Sequence, residues 1–164
     1  MLKPKVVNAE GLLALIGEPE FVKGRLILFQ GASGSGKTTL INRLVERLAA
    51  KGCPCTPCEA DEFWSVDGGE YRFRANFLDE AHGYCTYKAA RELYNRGFAI
   101  VGNVFSSHEY FKPYTKLADK FDVTITTVRL ETRFTNVHGV ADKVVDNQVG
   151  KIKVCNFPMD YIVR

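Results

Sequence analysis

The sequence predicts an α/β domain in three layers, with helices on both sides of a mainly parallel central sheet. Three observations carry that expectation. Short β-type runs alternate with longer stretches of helical spacing, the order that successive βαβ units require. The first strong β-type run, Arg25–Gln30, stops at a glycine-rich loop that leads straight into a helical pattern. The chain has 164 residues, 46% of them hydrophobic, the size and composition of one domain with one ordinary core.

The elements follow in order. Residues 8–16 read as a short apolar-faced helix, closed by Gly17-Glu18-Pro19. After the strand at 25–30, residues 38–51 carry Leu40, Ile41, Leu44, Val45 and Leu48 on one helical face. Residues 53–60 predict a second strand, which Pro54 and Pro57 make an edge or irregular one. Residues 76–96 predict a long helix closed by Gly97, followed by a buried parallel strand from Phe98 to Val101 and on to Asn103. Residues 108–120 predict a helix with Pro113 near its first turn, 122–130 a strand, and 140–149 a last short helix. The whole of 1–164 is expected to form a single domain, with 1–24 as an N-terminal helical extension and about 131–149 as a lid region.

Composition sets the class. The net charge of +3 is compatible with a phosphate-bearing partner without requiring one. No apolar stretch is long enough to span a bilayer, and Met1-Leu2-Lys3-Pro4-Lys5 is not followed by a signal-peptide core, so a cytoplasmic protein is expected. Cys53, Cys55 and Cys58 cluster, but a closed zinc site needs four ligands, and only Cys85 and Cys155 are left at a distance. Reduced, buried thiols are the expectation.

The strongest local signal is Gly31-Ala32-Ser33-Gly34-Ser35-Gly36-Lys37-Thr38, a complete G-x-x-x-x-G-K-[ST] between a strand and a helix. Glycines let successive N–H groups turn toward phosphate oxygens, and the helix N-terminus adds a favourable dipole. Lys37 is placed to reach the β- and γ-phosphates, and the Thr38 hydroxyl to serve Mg²⁺. Gly31, Ser33, Gly34, Ser35, Gly36, Lys37, Thr38 and Thr39 are therefore the candidate contacts to ATP, and the fold is expected to be a P-loop NTPase of the nucleotide-kinase-like kind.

Three features favour a kinase over other P-loop proteins: the small size, the absence of an Asn-Lys-x-Asp segment, and Asn103 at the strand end where a Walker B Asp belongs. Without that Asp, Mg²⁺ depends on Thr38, the phosphates, water and Asp61. Asp61 closes the second strand and is the candidate general base, with Glu62 as fallback; both also fit solvated charges in a strand-end turn.

Further segments follow a recurring order: Ala60-Asp61-Glu62-Phe63, then Gly69-Glu70-Tyr71-Arg72-Phe73, then Leu78-Asp79-Glu80-Ala81-His82-Gly83-Tyr84-Cys85. Together with Lys112-Pro113-Tyr114 and Asn136-Val137-His138-Gly139-Val140, they resemble the polynucleotide-kinase-like P-loop kinases over most of the chain from about Leu26 to Val149. The resemblance implies ATP-dependent phosphorylation of a hydroxyl, typically a nucleic-acid 5′-hydroxyl, or 5-hydroxymethyluridine within DNA in phage relatives. It also implies that Asp61 is the general base and that 136–140 belongs to the lid.

Two departures bear on the acceptor. Trp64 stands where the phage 5′-kinases carry arginine, and Asn103 stands where they carry Asp. An aromatic Trp64 fits stacking on an extruded base as well as core or lid packing, which tilts the expected acceptor toward a hydroxymethylated DNA base. Tyr71 and Phe73 share a face if extended and are candidates for base stacking, with core packing as the alternative, and Arg72 and Arg74 for backbone phosphates. In the lid, Arg133 is the candidate for the γ-phosphate, ahead of Arg129, with His138 as a second possibility. Rival readings are a 5′-hydroxyl polynucleotide kinase, a nucleoside or nucleotide kinase, and an ATP-dependent binding module without phosphotransfer.

Overall fold

Among the described residues, six strands form one sheet: β1 Lys5–Val7, β2 Arg25–Gln30, β3 Cys58–Glu59, β4 Ala99–Asn103, β5 Thr124–Leu130 and β6 Tyr161–Val163. Their order is β1-β6-β5-β2-β4-β3, and every pairing is parallel. The helices are α1 Ala9–Ile16, α2 Pro19–Val22, α3 Lys37–Ala50, α4 Leu78–Arg96, α5 Lys112–Phe121 and α6 Asp142–Val154. This computed structural model describes residues 2–68, 70–134 and 139–164, with 66–68 described in backbone only.

The three-layer arrangement follows from strand alternation. In β2, Ile27 and Phe29 face α1 and α3 in one core cluster, while Leu26 and Leu28 face α4 and α5 in the other. Both faces of β2 are covered, so Leu26 to Gln30 are all buried and the strand reads as an unbroken apolar run ending in one polar residue. The face of α3 is the one its spacing predicts: Leu40, Ile41, Leu44 and Leu48 are buried. Helix α4 buries Ala81, Cys85, Ala89 and Leu93 at four-residue intervals and stops at Gly97, whose φ of 76° suits a residue without Cβ. All five cysteines are free; Cys53 lies in one cluster and Cys58 and Cys85 in the other, on opposite sides of the sheet.

Several boundaries differ from expectation for local reasons. Of the strand expected at 53–60, only Cys58 and Glu59 pair with β4, since Pro54 and Pro57 offer no N–H to a ladder. The long helix begins with a 3-10 turn, Ala75–Phe77, before α4 proper, and the last helix runs on to Val154. The N-terminal extension is not helical throughout. Its first element, β1, pairs with β6, so the two ends of the chain build one edge of the sheet. None of the described helices is long and apolar enough to cross a membrane.

β6 is held against β5 by a side-chain clamp. Asp160 Oδ2 accepts the Thr127 N–H at 2.8 Å, and the Thr127 hydroxyl donates to the Pro158 carbonyl at 2.8 Å. Beyond the strand, Arg164 pairs with Glu131 at 2.7 Å. Replacing Asp160 with Ala leaves the N–H of the buried Thr127 without its acceptor. The expected outcome in urea titration is a loss of about 1–3 kcal/mol in unfolding free energy.

Candidate active site

At the carboxyl end of β2 the chain turns into the glycine-rich loop. Gly34 and Gly36 take φ values of 77° and 83°. An added Cβ at Gly31 would lie 2.4 Å from Ser35 Oγ, so a side chain there would have to displace that hydroxyl. The loop's carbonyls are held from outside by the segment after β5. The Thr132 hydroxyl donates to the Ser35 carbonyl at 2.5 Å, and the Phe134 N–H donates to the Gly34 carbonyl at 2.6 Å. Helix α3 starts at Lys37 with first-turn N–H groups that have no preceding turn to bond, which is the arrangement that holds an anion. Ser35 Oγ is buried without a hydrogen-bond partner, one more polar atom in the cradle left unmatched by protein.

Two carboxylates stand beside the loop at the end of β3. The Thr38 hydroxyl donates to Glu59 Oε1 at 2.9 Å. Burial pushes the Glu59 carboxyl above the ordinary range, opposed by the Lys37 charge and the Thr38 hydrogen bond. Burial likewise pushes the Lys37 ammonium down, while Glu59 and Asp61 pull it back up. Thr38 and Asp61 are the expected metal pair; the carboxylate that the Thr38 hydroxyl meets is Glu59. Among the described residues no group of three or more His, Cys, Asp or Glu forms a cage for a metal ion. A hydroxyl and one desolvated carboxylate fit Mg²⁺, which keeps most of its shell as water and substrate phosphate.

Asp61 lies two residues on, exposed, in the 3-10 segment Ala60–Gly68. The Tyr71 hydroxyl is hydrogen-bonded to it, and burial, then the Asp61 charge, push that phenol up to about 12. Burial lowers His82, opposed by Asp79 and Asp61, and its ring lies 4.8 Å from that of Tyr110. Glu62 forms an ion pair with Lys88, so the fallback base is already neutralised.

The acceptor candidates separate. Trp64 is 6% exposed and packs edge-on against Phe63 and Phe73, with centroids 5.2 and 5.0 Å away. Of the two readings of Trp64, base stacking and packing, this arrangement is the packing one. The exposed ring of that group is Phe73, at 55%. Tyr71 packs against the core and bonds Asp61, so it too is not presented for stacking. Asn103, expected on the acceptor side, is 5% exposed with both ends of its amide engaged inside the protein. Arg72 is exposed, 3.8 Å from Glu70.

In the expected lid, Arg133 reaches Asp146 of α6 at 2.8 Å, both side chains more than half exposed. Arg129 is structural, donating to Gln30 Oε1 at 2.6 Å and to the Cys155 carbonyl at 3.1 Å. His138 and residues 135–137 lie outside the described residues. Sequence reasoning missed three contributors. Glu59 sits two residues before Asp61, a spacing that puts both on one side of a strand end. Gln148 of α6 accepts the Ser33 N–H at 2.9 Å. The 64%-exposed Phe134 packs against Gly36 and helps to line a cleft of about 490 Å³ with Ser33, Arg133, Val140 and Val145.

The loop, the lysine that opens α3 and the all-parallel sheet define a P-loop NTPase fold of the nucleotide-kinase-like kind. No protein-family profile matches the chain. A thymidylate kinase from Pelotomaculum thermopropionicum is 54% identical over 33 residues, which is 20% of this chain and 15% of that enzyme. The crystal structure of APE1195 superposes with a TM-score of 0.59 at 15% identity, covering 87% of this chain and 85% of the other. A chain of the Pnkp1/Rnl/Hen1 complex gives 0.52 at 14% identity, covering 84% of this chain and 41% of that one. At these identities the likeness is one of fold.

Glu59→Gln is expected to weaken Mg²⁺-dependent ATP binding by about tenfold or more in calorimetry. It should also lower the melting temperature of the metal-free protein, because it leaves the desolvated Lys37 ammonium without the charge that balances it.

Proposed function

We propose that the protein is an ATP-dependent kinase that transfers the γ-phosphate to a hydroxyl group on nucleic acid. The observation that carries this reading is the division of labour between two carboxylates two residues apart. Glu59 is desolvated against Thr38 and Lys37, whereas Asp61 is exposed and open to an incoming hydroxyl. The first arrangement suits a metal–phosphate contact and the second a proton acceptor.

The loop N–H groups and Lys37 hold the β- and γ-phosphates, and Thr38 with Glu59 would hold Mg²⁺. When bound, the ion neutralises charge that develops on the phosphate oxygens. Asp61 takes the acceptor's proton as the acceptor oxygen bonds to the γ-phosphorus; the bond to the bridging oxygen breaks, and ADP leaves with that electron pair. Tyr71 holds the Asp61 carboxylate by its hydroxyl. Arg133 would serve the transferring phosphoryl group after leaving Asp146. An exposed ion pair of this kind contributes only about 0–1 kcal/mol, so little opposes that movement.

The preference for nucleic acid rests on the motif resemblance to polynucleotide-kinase-like enzymes and on the exposed Phe73 between Arg72 and Arg74, an aromatic ring between two cations beside the Asp61 segment. Within that class the reading leans to 5-hydroxymethyluridine in DNA, now with Phe73 rather than Trp64 as the ring for a displaced base. The short thymidylate-kinase match favours, as the second reading, a free nucleotide as acceptor.

The test is transfer of labelled γ-phosphate to DNA bearing 5-hydroxymethyluridine, to unmodified 5′-hydroxyl DNA and RNA, and to free nucleosides and nucleotides. Label on an internal base is expected. Asp61→Asn should lower kcat by about 10²–10⁴-fold while ATP affinity stays unchanged. Label confined to 5′ ends or to monomers would move the acceptor to the corresponding class. ATP binding without transfer to any acceptor would overturn the kinase reading.

A further inference from the structure

β3 is a strand of two residues, and its ladder with β4 ends at Glu59↔Gly102. The next N–H, that of Ala60, belongs to the peptide that joins Glu59 to the segment bearing Asp61. Its acceptor is the side chain of Asn103, the last residue of β4, whose Oδ1 lies 2.8 Å away. A side-chain amide thus holds the backbone at the point where the chain leaves the sheet for the 3-10 segment.

The other end of the amide is equally fixed. Asn103 Nδ2 donates to the Tyr114 hydroxyl at 3.4 Å and to Cys85 Sγ at 3.5 Å. The Tyr114 hydroxyl donates in turn to Cys85 Sγ at 3.2 Å. All three side chains are buried, and they come from β4, α5 and α4. The site calls for an acceptor toward Ala60 on one side and a hydrogen-bonding partner for the Tyr114 hydroxyl on the other. Asparagine meets both demands; leucine, of similar volume, meets neither.

We propose that Asn103 is a positioning residue for phosphotransfer. By holding the Glu59–Ala60 peptide it sets the spacing of the two site carboxylates, Glu59 over Thr38 and Asp61 toward the acceptor, against the phosphate loop. Its own backbone ties the same strand to the loop, because its carbonyl accepts the Gly31 N–H at 3.4 Å. One residue therefore joins the phosphate-binding side to the proton-accepting side without touching substrate. This assignment rests on the kinase reading only for its kinetic consequence. The hydrogen bond itself can be tested in the absence of any activity.

The experiment compares wild type, Asn103→Leu and Asn103→Asp in the full chain. Asp keeps an oxygen opposite the Ala60 N–H, and the Tyr114 hydroxyl can turn to donate to its second oxygen. Amide exchange by NMR is expected to show a protected Ala60 N–H in wild type and Asn103→Asp, and fast exchange there in Asn103→Leu. Misplacement of a reacting group by ~1 Å costs on the order of 10²-fold in rate, so Asn103→Leu should lose tenfold to a hundredfold in kcat. The KM for ATP should stay near the wild-type value, and Asn103→Asp should recover most of the loss. Three results would overturn the proposal: an unprotected Ala60 N–H in wild type, unchanged kcat in a folded Asn103→Leu, or kcat and ATP affinity falling together with stability. If the wild type transfers phosphate to no acceptor, the kinase reading fails, and the exchange pattern at Ala60 alone decides whether Asn103 holds this peptide.

Discussion

The structure depends on one constraint: a strand buried on both faces has to turn at its end into a helix whose first N–H groups lack partners. β2 reaches that point at Gln30, and apolar side chains could not cover the turn into α3 without leaving those groups unsatisfied. Glycines at 31, 34 and 36 let the chain make this turn instead: 34 and 36 take positive φ, and an added Cβ at 31 would meet Ser35. Other parts of the site can be understood as responses to this turn. Residues 132–134 hold the loop's carbonyls on one side, Lys37 is drawn into a desolvated position, and Glu59 balances its charge.

The balance is electrostatically uncomfortable for the protein alone. A buried ammonium, a carboxylate driven toward its neutral form and an unpartnered hydroxyl at Ser35 gather around the one loop. Such an arrangement does little for the stability of the empty protein and suits a site completed by phosphate and a cation. The contrast with Asp61 is instructive. It lies only two residues beyond Glu59, yet it is exposed and bonded to Tyr71 rather than to the loop. Two residues of separation, with the strand giving way to a 3-10 turn between them, give two carboxylates different surroundings.

Around this centre the aromatic residues mostly pack. Phe105 adopts a positive φ of 49° just past the end of β4 and is 1% exposed, stacked on Phe111, which stacks in turn on Phe157. Trp64 lies within a similar group with Phe63 and Phe73. These clusters support the loops that come after β3 and β4, and they leave Phe73 and Phe134 as exposed rings near the site. An aromatic in a motif is thus a poor guide to stacking until its burial is known.

The sequence by itself determined the elements whose physics is local. The phosphate loop is legible because backbone geometry demands those glycines, and α3 and β2 because their periodicity matches one or two covered faces. Asp61 was expected to close the second strand, whereas β3 ends at Glu59 and Asp61 lies in the 3-10 segment beyond it. Tertiary structure alone decided the rest. That Glu59 rather than Asp61 meets Thr38, that Lys88 neutralises Glu62, and that Asn103 turns inward to Ala60 are contacts between residues 21 to 43 positions apart. Several acids and amides were equally eligible by spacing, and burial and donor–acceptor matching chose among them. The joining of β1 to β6 was hidden for a similar reason: two three-residue strands carry almost no pattern of their own and exist because each covers the other's edge.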